Sequence, residues 1–388
     1  MHGLSCRLVL ITEIIAPYRI PVFNALARQP GIDLHVIFLA ETDPTQREWL
    51  VPKSEIQFSY EVLPSWRRRV YGHNVLLNWG IDEALQQALP DVIVCGGYSY
   101  LASWEALRWA KRHRSPFLLW TESTAQDRRS GSNFIESLKS HFIGQCDGFV
   151  VPGKASFEYV RSYEITEDRI FTAPNAVDNA FFSRAAECAR AAADVRREMF
   201  DLPVRYFLFT GRLEAEKGIF DLLEAYAALA SEVRNEVGLV FAGDGSARSQ
   251  LARRGAAIRP GSIRIAGFLQ HEQLAIFYGL AEIFVFPTHT DPWGLVVNEA
   301  MACGLPVICS RAAGCAADLV DNGNGRLVDR GDVGELSAAM NELACDPHSR
   351  LSMGERSLEK IQQYCPKLCA EGIAGAVLSC QDVGRVCA

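Results

Sequence analysis

The chain has 388 residues, of which 49% are hydrophobic and 22% charged, and its formal net charge is −7 at pH 7. This length is more than one hydrophobic core usually organises, so we expect two domains, and the acidic balance argues against a nucleic-acid-binding protein. No stretch is long and apolar enough to predict a membrane span, and the apolar run after Met1 is too short for a signal peptide, so we expect a cytoplasmic protein.

Short apolar runs alternate with amphipathic segments along the first half of the chain. The short runs predict parallel strands, and the longer segments predict helices, of which 20–29 and 101–113 are examples. The predicted strands are 8–12, 35–39, 91–95, 117–120 and 148–151. This alternation is typical of a doubly wound α/β domain.

The same alternation starts again after residue 200 and predicts a second doubly wound domain. Its predicted strands are 206–210, 237–242, 262–266, 283–286 and 307–310. Between the two series, Pro174-Asn-Ala-Val-Asp178 interrupts both periodicities and predicts the boundary. We therefore predict one domain over residues 1–174, a second over 175–350, and C-terminal helices over 351–388.

The segment 284–309 concentrates candidate functional residues. A strand stopped by Pro287 is followed by a loop with Asp291 and by a helix, predicted over 296–303, that carries Glu299. The loop Asp291-Pro-Trp-Gly-Leu presents backbone N–H groups at a helix N-terminus, where a phosphate is readily bound. Two carboxylates beside such a loop suit a polyhydroxylated phosphate ester. The alternative is two structural acids, one of which favours the helix dipole.

A second candidate group, Gly211-Arg212-Leu-Glu-Ala-Glu-Lys217-Gly218, follows the strand predicted at 206–210. A glycine at a strand end lets the backbone approach a ligand, and two cations before a helix can bind a diphosphate. Fixed cations also stabilise the negative charge that grows on a departing diphosphate. The alternative is that Arg212 and Lys217 are solvated residues at a helix start.

Together these motifs resemble the family-4 retaining glycosyltransferases, also called group 1, which have the two-domain GT-B fold. In that family two acids separated by seven residues flank a Phe/Trp-Gly-Leu turn, as Asp291 and Glu299 do here. The family's Gly-Arg-x4-Lys-Gly pattern is also present, at residues 211–218. The resemblance implies two Rossmann-like domains facing a central cleft, with a last helix that crosses back to the first domain. Either 352–364 or 366–378 is expected to be that helix.

The resemblance also implies an activity and a set of site residues. It implies transfer of a sugar from a nucleoside-diphosphate-sugar donor to a glycan or lipid-linked acceptor, as in cell-surface polysaccharide or glycolipid synthesis. Arg212 and Lys217 would bind the diphosphate, Asp291 the sugar and Glu299 the ribose. The first acid is usually Glu, so Asp291 loses one methylene of reach, which bears on sugar identity. The remaining expected donor contacts are Gly211, Gly243, Asp244, Gly245, Phe268, Leu269, Gly294, Leu295 and Val296.

The acceptor side departs from the family pattern at two places. Tyr18 and Arg19 open the first helix where many relatives carry a Gly-rich turn; Arg19 is either a ligand for an acidic acceptor group or a surface arginine. Glu122 follows the strand 117–120, where numerous members place a histidine at the donor sugar. It either accepts a hydrogen bond from a sugar hydroxyl or caps the following segment. No protein base is required in the family, because a diphosphate oxygen takes the acceptor's proton.

Metal ions and cofactors are not expected. No Asp-x-Asp motif is present to anchor a divalent cation, so the resemblance implies a metal-independent transfer in which the nucleotide sugar is a substrate. The twelve cysteines are scattered through predicted strands and helices without metal-ligand spacing, which predicts reduced thiols.

Two basic clusters with aromatic neighbours leave a membrane contact open. They are Trp66-Arg67-Arg68-Arg69 and the segment 108–114. Each is either a contact for anionic lipid headgroups or a solvated surface.

Two further functions remain open beside sugar transfer. The first is a sugar-nucleotide 2-epimerase, which shares the GT-B architecture, and the second is a non-catalytic scaffold that binds a nucleotide sugar. Asp291 and Glu122 allow the scaffold, whereas the retained Arg212 and Lys217 argue against it.

Overall fold

The computed structural model describes residues 5–43, 49–70, 73–127, 133–258 and 261–386. The chain divides into two compact units: unit 1 is Met1–Asn175 with Pro366–Ala388, and unit 2 is Ala176–Cys365. The strands are β1 Cys6–Thr12, β2 Ile32–Phe38, β3 Ser59–Val62, β4 Ser65–Val70, β5 His73–Asn78, β6 Val92–Cys95, β7 Phe117–Trp120, β8 Gly148–Val151, β9 Ile170–Thr172, β10 Tyr206–Thr210, β11 Gly238–Ala242, β12 Ile263–Gly267, β13 Ile283–Phe286, β14 Val307–Ser310 and β15 Gly325–Val328.

Helices flank both sheets. They are α1 Ile20–Ala27, α2 Ile81–Ala88, α3 Leu101–His113, α4 Asn133–Gln145, α5 Lys154–Arg161, α6 Asn179–Ala191, α7 Ala193–Phe200, α8 Ile219–Ala228, α9 Ser231–Glu236, α10 Arg248–Ile258, α11 His271–Leu280, α12 Leu295–Ala302, α13 Ala316–Leu319, α14 Val333–Cys345, α15 Pro347–Ile361 and α16 Pro366–Val386. None of the helices, within the residues described, is long and apolar enough to cross a membrane.

Unit 1 is built on a parallel sheet of seven strands in the order β3-β2-β1-β6-β7-β8-β9. Its central strands are apolar throughout and buried, as expected for strands covered by helices on both faces. Strands β4 and β5 form a separate antiparallel hairpin. Chain order reverses between β1 and β6, so the carboxyl ends of these neighbouring strands form the topological switch point of the sheet.

Unit 2 contains a parallel sheet of six strands in the order β12-β11-β10-β13-β14-β15. Every residue of β10, β11, β13 and β14 is buried. The aromatic side chains of Phe207, Phe209, Phe241 and Phe284 belong to the unit's hydrophobic core. This rigid sheet fixes the loops that leave its carboxyl edge.

Some elements were not predicted from the sequence. They are β3, the hairpin of β4 and β5, β9 and β15. Strands β3, β9 and β15 are the outermost strands of their sheets and include partly or fully exposed positions, so they lack the continuous apolar run that marks a central strand.

The C-terminal segment predicted over 351–388 is divided between the units. Helix α15 packs on α12 in unit 2, whereas α16 packs on α1, β8 and β9 in unit 1. A Cβ at Gly372 of α16 would lie 2.4 Å from the carbonyl oxygen of Thr172 in β9, so the helix backbone sits directly on the sheet. Of the two helices considered, the one starting at Pro366 is therefore the one that returns.

Candidate functional site

Three loops at the carboxyl edge of the unit 2 sheet are joined by backbone contacts. The Gly211 N–H donates to the Ala242 carbonyl at 3.1 Å, and the Gly243 N–H donates to the Gly267 carbonyl at 2.8 Å. A Cβ at Gly243 would lie 1.9 Å from the Gly211 carbonyl oxygen, and its φ is +146°, so only glycine fits there. The structure thus brings together the loops that carry Gly211, Gly243 and Phe268.

The side chains of the Gly243-Asp244-Gly245 loop are already engaged. One Asp244 carboxylate oxygen accepts from the Gly245 N–H at 2.7 Å, and the other accepts from Arg248 Nη1 at 2.5 Å. Glu214, which was not predicted as a site residue, accepts from both the backbone N–H and the hydroxyl of Ser246 at 2.8 and 2.6 Å. Burial opposes ionisation of Glu214, but the Ser246 hydrogen bonds prevail and lower its pKa. Glu214 therefore stabilises the approach of the two loops.

Lys217 joins two motifs that lie 74 residues apart in sequence. It ends a 3-10 turn after β10, and its side chain is only 10% exposed. Its Nζ donates to Asp291 Oδ2 at 2.8 Å and to the Thr290 carbonyl at 3.0 Å. A Cβ at the next residue, Gly218, would lie 2.0 Å from the Pro287 carbonyl oxygen, so the glycine permits this approach of the loops. The structure thus pairs the predicted diphosphate cation with the predicted sugar acid.

Asp291 has further capacity to bind a ligand. Its Oδ1 accepts from the Trp293 backbone N–H at 3.2 Å, in addition to the Lys217 bond on Oδ2. A carboxylate can accept about four hydrogen bonds, so about two acceptor positions are left for donors of a ligand. The family usually has Glu at this position, and Asp is one methylene shorter. The carboxylate of Asp291 therefore stays close to the loop 291–293 that carries it.

The N-terminus of α12 has the geometry of an anion site. Gly294 precedes the helix with φ at +95°, and the first N–H bonded inside the segment is that of Val297, which donates to the Gly294 carbonyl at 2.9 Å. The N–H groups of Leu295 and Val296 precede that bond and belong to the orphan donors of a helix start. The indole N–H of Trp293 donates to Asn298 at 2.9 Å and anchors the loop.

Glu299 lies on α12, one turn after the anion site. Its Oε2 accepts from the Tyr278 hydroxyl at 2.7 Å, and the same hydroxyl lies 2.6 Å from Thr210 Oγ1. Burial raises the pKa of Glu299 to about 7, although the Tyr278 hydrogen bond acts in the opposite direction. Tyr278 was missed in the sequence because it belongs to the apolar face of α11, a pattern that predicts only core packing.

Three predicted donor contacts, Arg212, Phe268 and Leu269, are more exposed than Lys217. The Arg212 side chain is 46% exposed and pairs with Glu216 at 3.0 Å. Phe268 is exposed at the end of β12, and Leu269 next to it is partly buried. In the described part of the chain, no group of three or more His, Cys, Asp or Glu side chains is placed to hold a metal ion.

In unit 1, Arg19 and Glu122 form an ion pair. The Arg19 guanidinium donates to Glu122 and, at 3.2 Å, to Asn175 Oδ1; it also lies 4.1 Å from the ring centroid of Trp120. Burial lowers the pKa of Arg19 and the Glu122 carboxylate raises it; the carboxylate prevails. With 16% of its side chain exposed, Arg19 is not the surface arginine considered from sequence, and Glu122 makes an ion pair instead of a cap. Tyr18 packs edge-on against Trp49 at 5.9 Å.

The two basic clusters differ in the structure. Arg67 is 11% exposed and pairs with Glu13 at 3.0 Å and Asp43 at 2.7 Å. The two alternatives left open for this cluster, a lipid contact and a solvated surface, are therefore both wrong for Arg67, because both of its terminal nitrogens are bound within the protein. In the second cluster, Lys111 pairs with Asp147 at 2.9 Å, and His113 stacks on the ring of Trp109 at the same end of α3.

Two protein-family models match most of the chain between them. The model described as Glycosyltransferase Family 4 matches residues 22–181, and the model described as Glycosyl transferases group 1 matches residues 194–360. The first match lies in unit 1 except for its last residues, and the second lies in unit 2.

Curated relatives point to the same family. The chain is 31% identical over 218 residues to O-antigen chain mannosyltransferase B of Escherichia coli, with 55% of each chain aligned. It is also 31% identical over 212 residues to D-inositol 3-phosphate glycosyltransferase of Xylanimonas cellulosilytica, with 52% of this chain and 50% of that protein aligned. The aligned part is thus about half the length of these relatives.

Solved structures show the fold. Anabaena Alr3699/HepE in complex with UDP and glucose superposes with a TM-score of 0.74 at 16% identity, covering 97% of this chain and 100% of that one. Sucrose-phosphate synthase from Thermosynechococcus elongatus superposes with a TM-score of 0.72 at 18% identity, covering 96% and 98%. The predicted GT-B fold is confirmed. With both family models matched in order, the chain belongs to the family-4, group 1 glycosyltransferases.

Proposed function

We propose that this protein is a retaining glycosyltransferase that moves a sugar from a nucleoside-diphosphate-sugar donor to a glycan or lipid-linked acceptor. The observation that carries the proposal is the Lys217–Asp291 pair, 2.8 Å apart, in the loops of the α12 anion site. A cation, a hydroxyl-binding carboxylate and free helix N–H groups are the three kinds of group that a sugar diphosphate needs. The related mannosyltransferase B, named for the O-antigen chain, supports a role in cell-surface polysaccharide or glycolipid synthesis.

Lys217 is suited to stabilise a leaving diphosphate. Its ammonium group has three N–H donors, of which two bind Asp291 and Thr290. The third is left for a phosphate oxygen, and the low exposure of the side chain strengthens the attraction as negative charge grows in the transition state. Arg212 is exposed and can turn toward the diphosphate only by leaving Glu216.

The two acids divide the rest of the donor between them. Asp291, held by Lys217 and Trp293, is proposed to accept hydrogen bonds from the transferred sugar. Glu299 is proposed to accept them from the ribose hydroxyls, in its ionised form. Because Glu299 has a pKa of about 7, donor affinity should fall as the pH drops below 7. Retention is proposed to follow from same-face attack, with a diphosphate oxygen taking the acceptor's proton.

We also propose that transfer needs no metal ion, because Lys217 and Arg212 supply positive charge for the diphosphate. Turnover measured in excess EDTA should equal turnover in Mg²⁺. A rate that collapses in EDTA and returns with Mg²⁺ would contradict this part of the proposal.

The test of the proposal compares two lysine–aspartate pairs of unit 2. A panel of nucleoside diphosphate sugars is first screened by thermal shift, since a ligand of the native state raises the melting temperature. Transfer is then measured for Lys217→Ala and for the control Lys360→Ala. Lys360, on α15, also forms a lysine–aspartate pair: its Nζ lies 2.9 Å from Oδ2 of Asp321, which lies in a loop. Lys217→Ala should lower turnover about 100-fold to 1,000-fold, the range for losing one fixed charge-stabilising donor.

Three results of that experiment would each contradict the proposal. Equal turnover in Lys217→Ala and Lys360→Ala would remove Lys217 from the mechanism. Binding of a nucleotide sugar with no consumption of it under prolonged incubation would favour the scaffold. Conversion of the donor into an isomer without any acceptor would favour the 2-epimerase.

Peripheral contact with an anionic membrane is proposed through α3 and α4 alone. A cavity of about 380 Å³ between these helices is lined by Leu101, Trp104, Arg108, Lys111 and His141 among others. Leu101 is 62% exposed, and an apolar side chain beside basic residues is the combination by which an interfacial helix contacts a membrane surface. We therefore propose a protein of the cytoplasmic compartment that binds the inner membrane surface.

Vesicle sedimentation tests this contact. Binding to anionic vesicles should weaken as salt is added and in the double variant Arg108→Glu/Arg112→Glu. Arg330→Glu, at an exposed position of unit 2, serves as the control. Equal binding to neutral and anionic vesicles, or equal binding by the double variant and the unchanged protein, would contradict the proposed membrane contact.

A further inference from the structure

Four polar side chains meet at the carboxyl edge of the unit 1 sheet, outside the donor site. Arg67 Nη2 donates to Glu13 Oε1 at 3.0 Å, and Arg67 Nη1 lies 2.7 Å from Asp43 Oδ2. Tyr100 completes the group through a hydrogen bond with Glu13; burial and the Glu13 charge both raise the pKa of its hydroxyl. We call Glu13, Asp43, Arg67 and Tyr100 the switch-point cluster.

The cluster lies where an open α/β sheet binds its ligands. Glu13 directly follows β1, and Tyr100 lies five residues after the end of β6. Because β1 and β6 are neighbours at which the chain order reverses, their carboxyl ends border the crevice of the sheet. Gly97, in the turn after β6, has φ at +113°, and a Cβ there would meet nothing within 4 Å. The backbone of this turn is therefore not covered by other atoms at Gly97.

The hairpin of β4 and β5 supplies the arginine. Arg67 lies on β4, outside the main sheet, and its guanidinium reaches the loops after β1 and β2. Asp43 is buried at 4% exposure, whereas the Glu13 side chain is 33% exposed. Of the two carboxylates, Glu13 is therefore the one that a ligand can reach. Its bonds to Arg67 and Tyr100 leave about two acceptor positions on the carboxylate.

The charges of the cluster disfavour an anionic ligand. Arg67 carries one positive charge against the two carboxylates of Glu13 and Asp43, which leaves the cluster with a net negative charge. Arg19, which follows β1 among the described residues, is paired with Glu122 and Asn175. A phosphate or carboxylate group would have to break one of these ion pairs and approach a carboxylate without compensation. Sugar hydroxyls, by contrast, can donate directly to Glu13.

We propose that the switch-point cluster is the acceptor subsite and that it binds an uncharged, hydroxyl-rich sugar. Glu13 accepts hydrogen bonds from the acceptor's hydroxyl groups, and Arg67 acts as a positioning residue that fixes the Glu13 carboxylate. This inference rests on the proposed function, because a subsite for an acceptor has meaning only if the protein transfers sugar. It extends that function by excluding sugar phosphates and other anionic acceptors.

The experiment compares acceptors first and variants second. With the donor found by the thermal-shift panel, methyl glycosides of neutral sugars are tested against the corresponding sugar 6-phosphates and inositol phosphate. The full-length protein is then studied as Glu13→Gln, which keeps the side-chain volume, and as Glu41→Gln. Glu41 is an exposed control in the loop after β2, where it pairs with Lys53 at 2.6 Å.

Glu13→Gln should raise the KM for the neutral acceptor at least tenfold while the KM for the donor changes less than twofold. That factor corresponds to the loss of one charge-assisted hydrogen bond, about 1.4 kcal/mol. Arg67→Gln should raise the acceptor KM in the same way, and Arg67→Lys, which keeps the charge, should restore part of the loss. An Arg67 that served only the stability of the hairpin would change the melting temperature without this split between the two KM values.

The results separate this inference from the proposed function. If no nucleotide sugar is bound or consumed, both fail. If a donor is consumed but sugar phosphates are the better acceptors, or if Glu13→Gln has the acceptor KM of Glu41→Gln, only the assignment of the subsite is overturned. If the Glu13→Gln protein no longer shows a thermal shift with the donor, Glu13→Asp is used in its place. The same rise in acceptor KM is expected for Glu13→Asp, because its carboxylate lies one methylene farther from the acceptor.

Discussion

Replacing Glu299 with Gln should make the protein more stable at alkaline pH and leave its stability nearly unchanged near pH 4. The reason is the raised pKa of Glu299 in the folded state, about 7 against an ordinary value of 4.5. Between these two values the folded protein keeps the proton while the unfolded chain has lost it. Stability therefore falls as the pH rises from 4.5 to 7, and the full cost of ionising the buried carboxyl is present above pH 7.

The size of the effect follows from the size of the shift. A displacement from 4.5 to about 7 at 1.36 kcal/mol per pKa unit corresponds to about 3 kcal/mol. Glu299 is partly exposed, so water screens some of this cost and we expect about 2 kcal/mol. For a unit of this size that is a rise in melting temperature of about 4 to 8 °C.

The assay is thermal unfolding of the full chain between pH 4 and pH 8.5. Gln keeps an oxygen that accepts from the Tyr278 hydroxyl, so the substitution removes the ionisation and retains the hydrogen bond. Glu355→Gln, at an exposed position of α15, serves as the control for losing one carboxylate from unit 2. The Glu299→Gln protein should also lose the thermal shift caused by nucleotides. A difference in melting temperature that is constant over the whole pH range would refute the reasoning, because it would show that Glu299 does not titrate differently in the two states.

Four further substitutions have outcomes that the structure determines. Tyr278→Phe removes the hydrogen bond that lowers the pKa of Glu299. It should therefore cost about 1 to 2 kcal/mol of stability and move the pH midpoint of nucleotide binding upward. A midpoint that stays in place would contradict the role of this hydrogen bond. Gly243→Ala would place a Cβ 1.9 Å from a carbonyl oxygen of the facing loop, so nucleotide-induced thermal shifts should disappear, and an intact shift would disprove this steric account. Gly372→Ala and Gly375→Ala make the same change on α16, but a Cβ at Gly372 would collide with β9 whereas one at Gly375 would meet nothing within 4 Å. Thermal unfolding should show a loss of stability for the first and a gain of about 0.5 to 1 kcal/mol for the second, and effects of equal sign would contradict the packing of this helix.

The central strands could be read from the sequence because burial on both faces demands apolar residues at every position. The predicted strands 117–120, 148–151, 206–210, 283–286 and 307–310 have the bounds that the structure shows. The edge strands β3, β9 and β15 have one neighbour and partial exposure, so residues such as Glu61 and Arg326 make them look like loops. The hairpin of β4 and β5 was hidden in the same way by its row of arginines.

The donor loops could also be predicted, since their glycines and charged residues occur at fixed spacings. What spacing could not supply is the pairing of side chains distant in sequence. Arg19 and Glu122 are 103 residues apart, and Glu13 and Arg67 are 54 apart. Arg19, Glu122 and Arg67 were therefore each assessed alone, with a ligand contact and a bland alternative left open. Glu13 was not singled out from the sequence. Tyr278 had no signal at all, because its hydroxyl acts from inside an apolar pattern.

The return of α16 to unit 1 has a consequence for synthesis of the chain. Unit 2 is one continuous stretch and has all its residues once Cys365 has been made, whereas unit 1 has to wait for α16, Pro366–Val386, to receive the helix that covers β8 and β9. Domains generally fold as units during translation. Unit 1 is therefore started before unit 2 and completed after it, and a chain that stops before α16 leaves the sheet of unit 1 uncovered, a state that quality-control proteases can recognise.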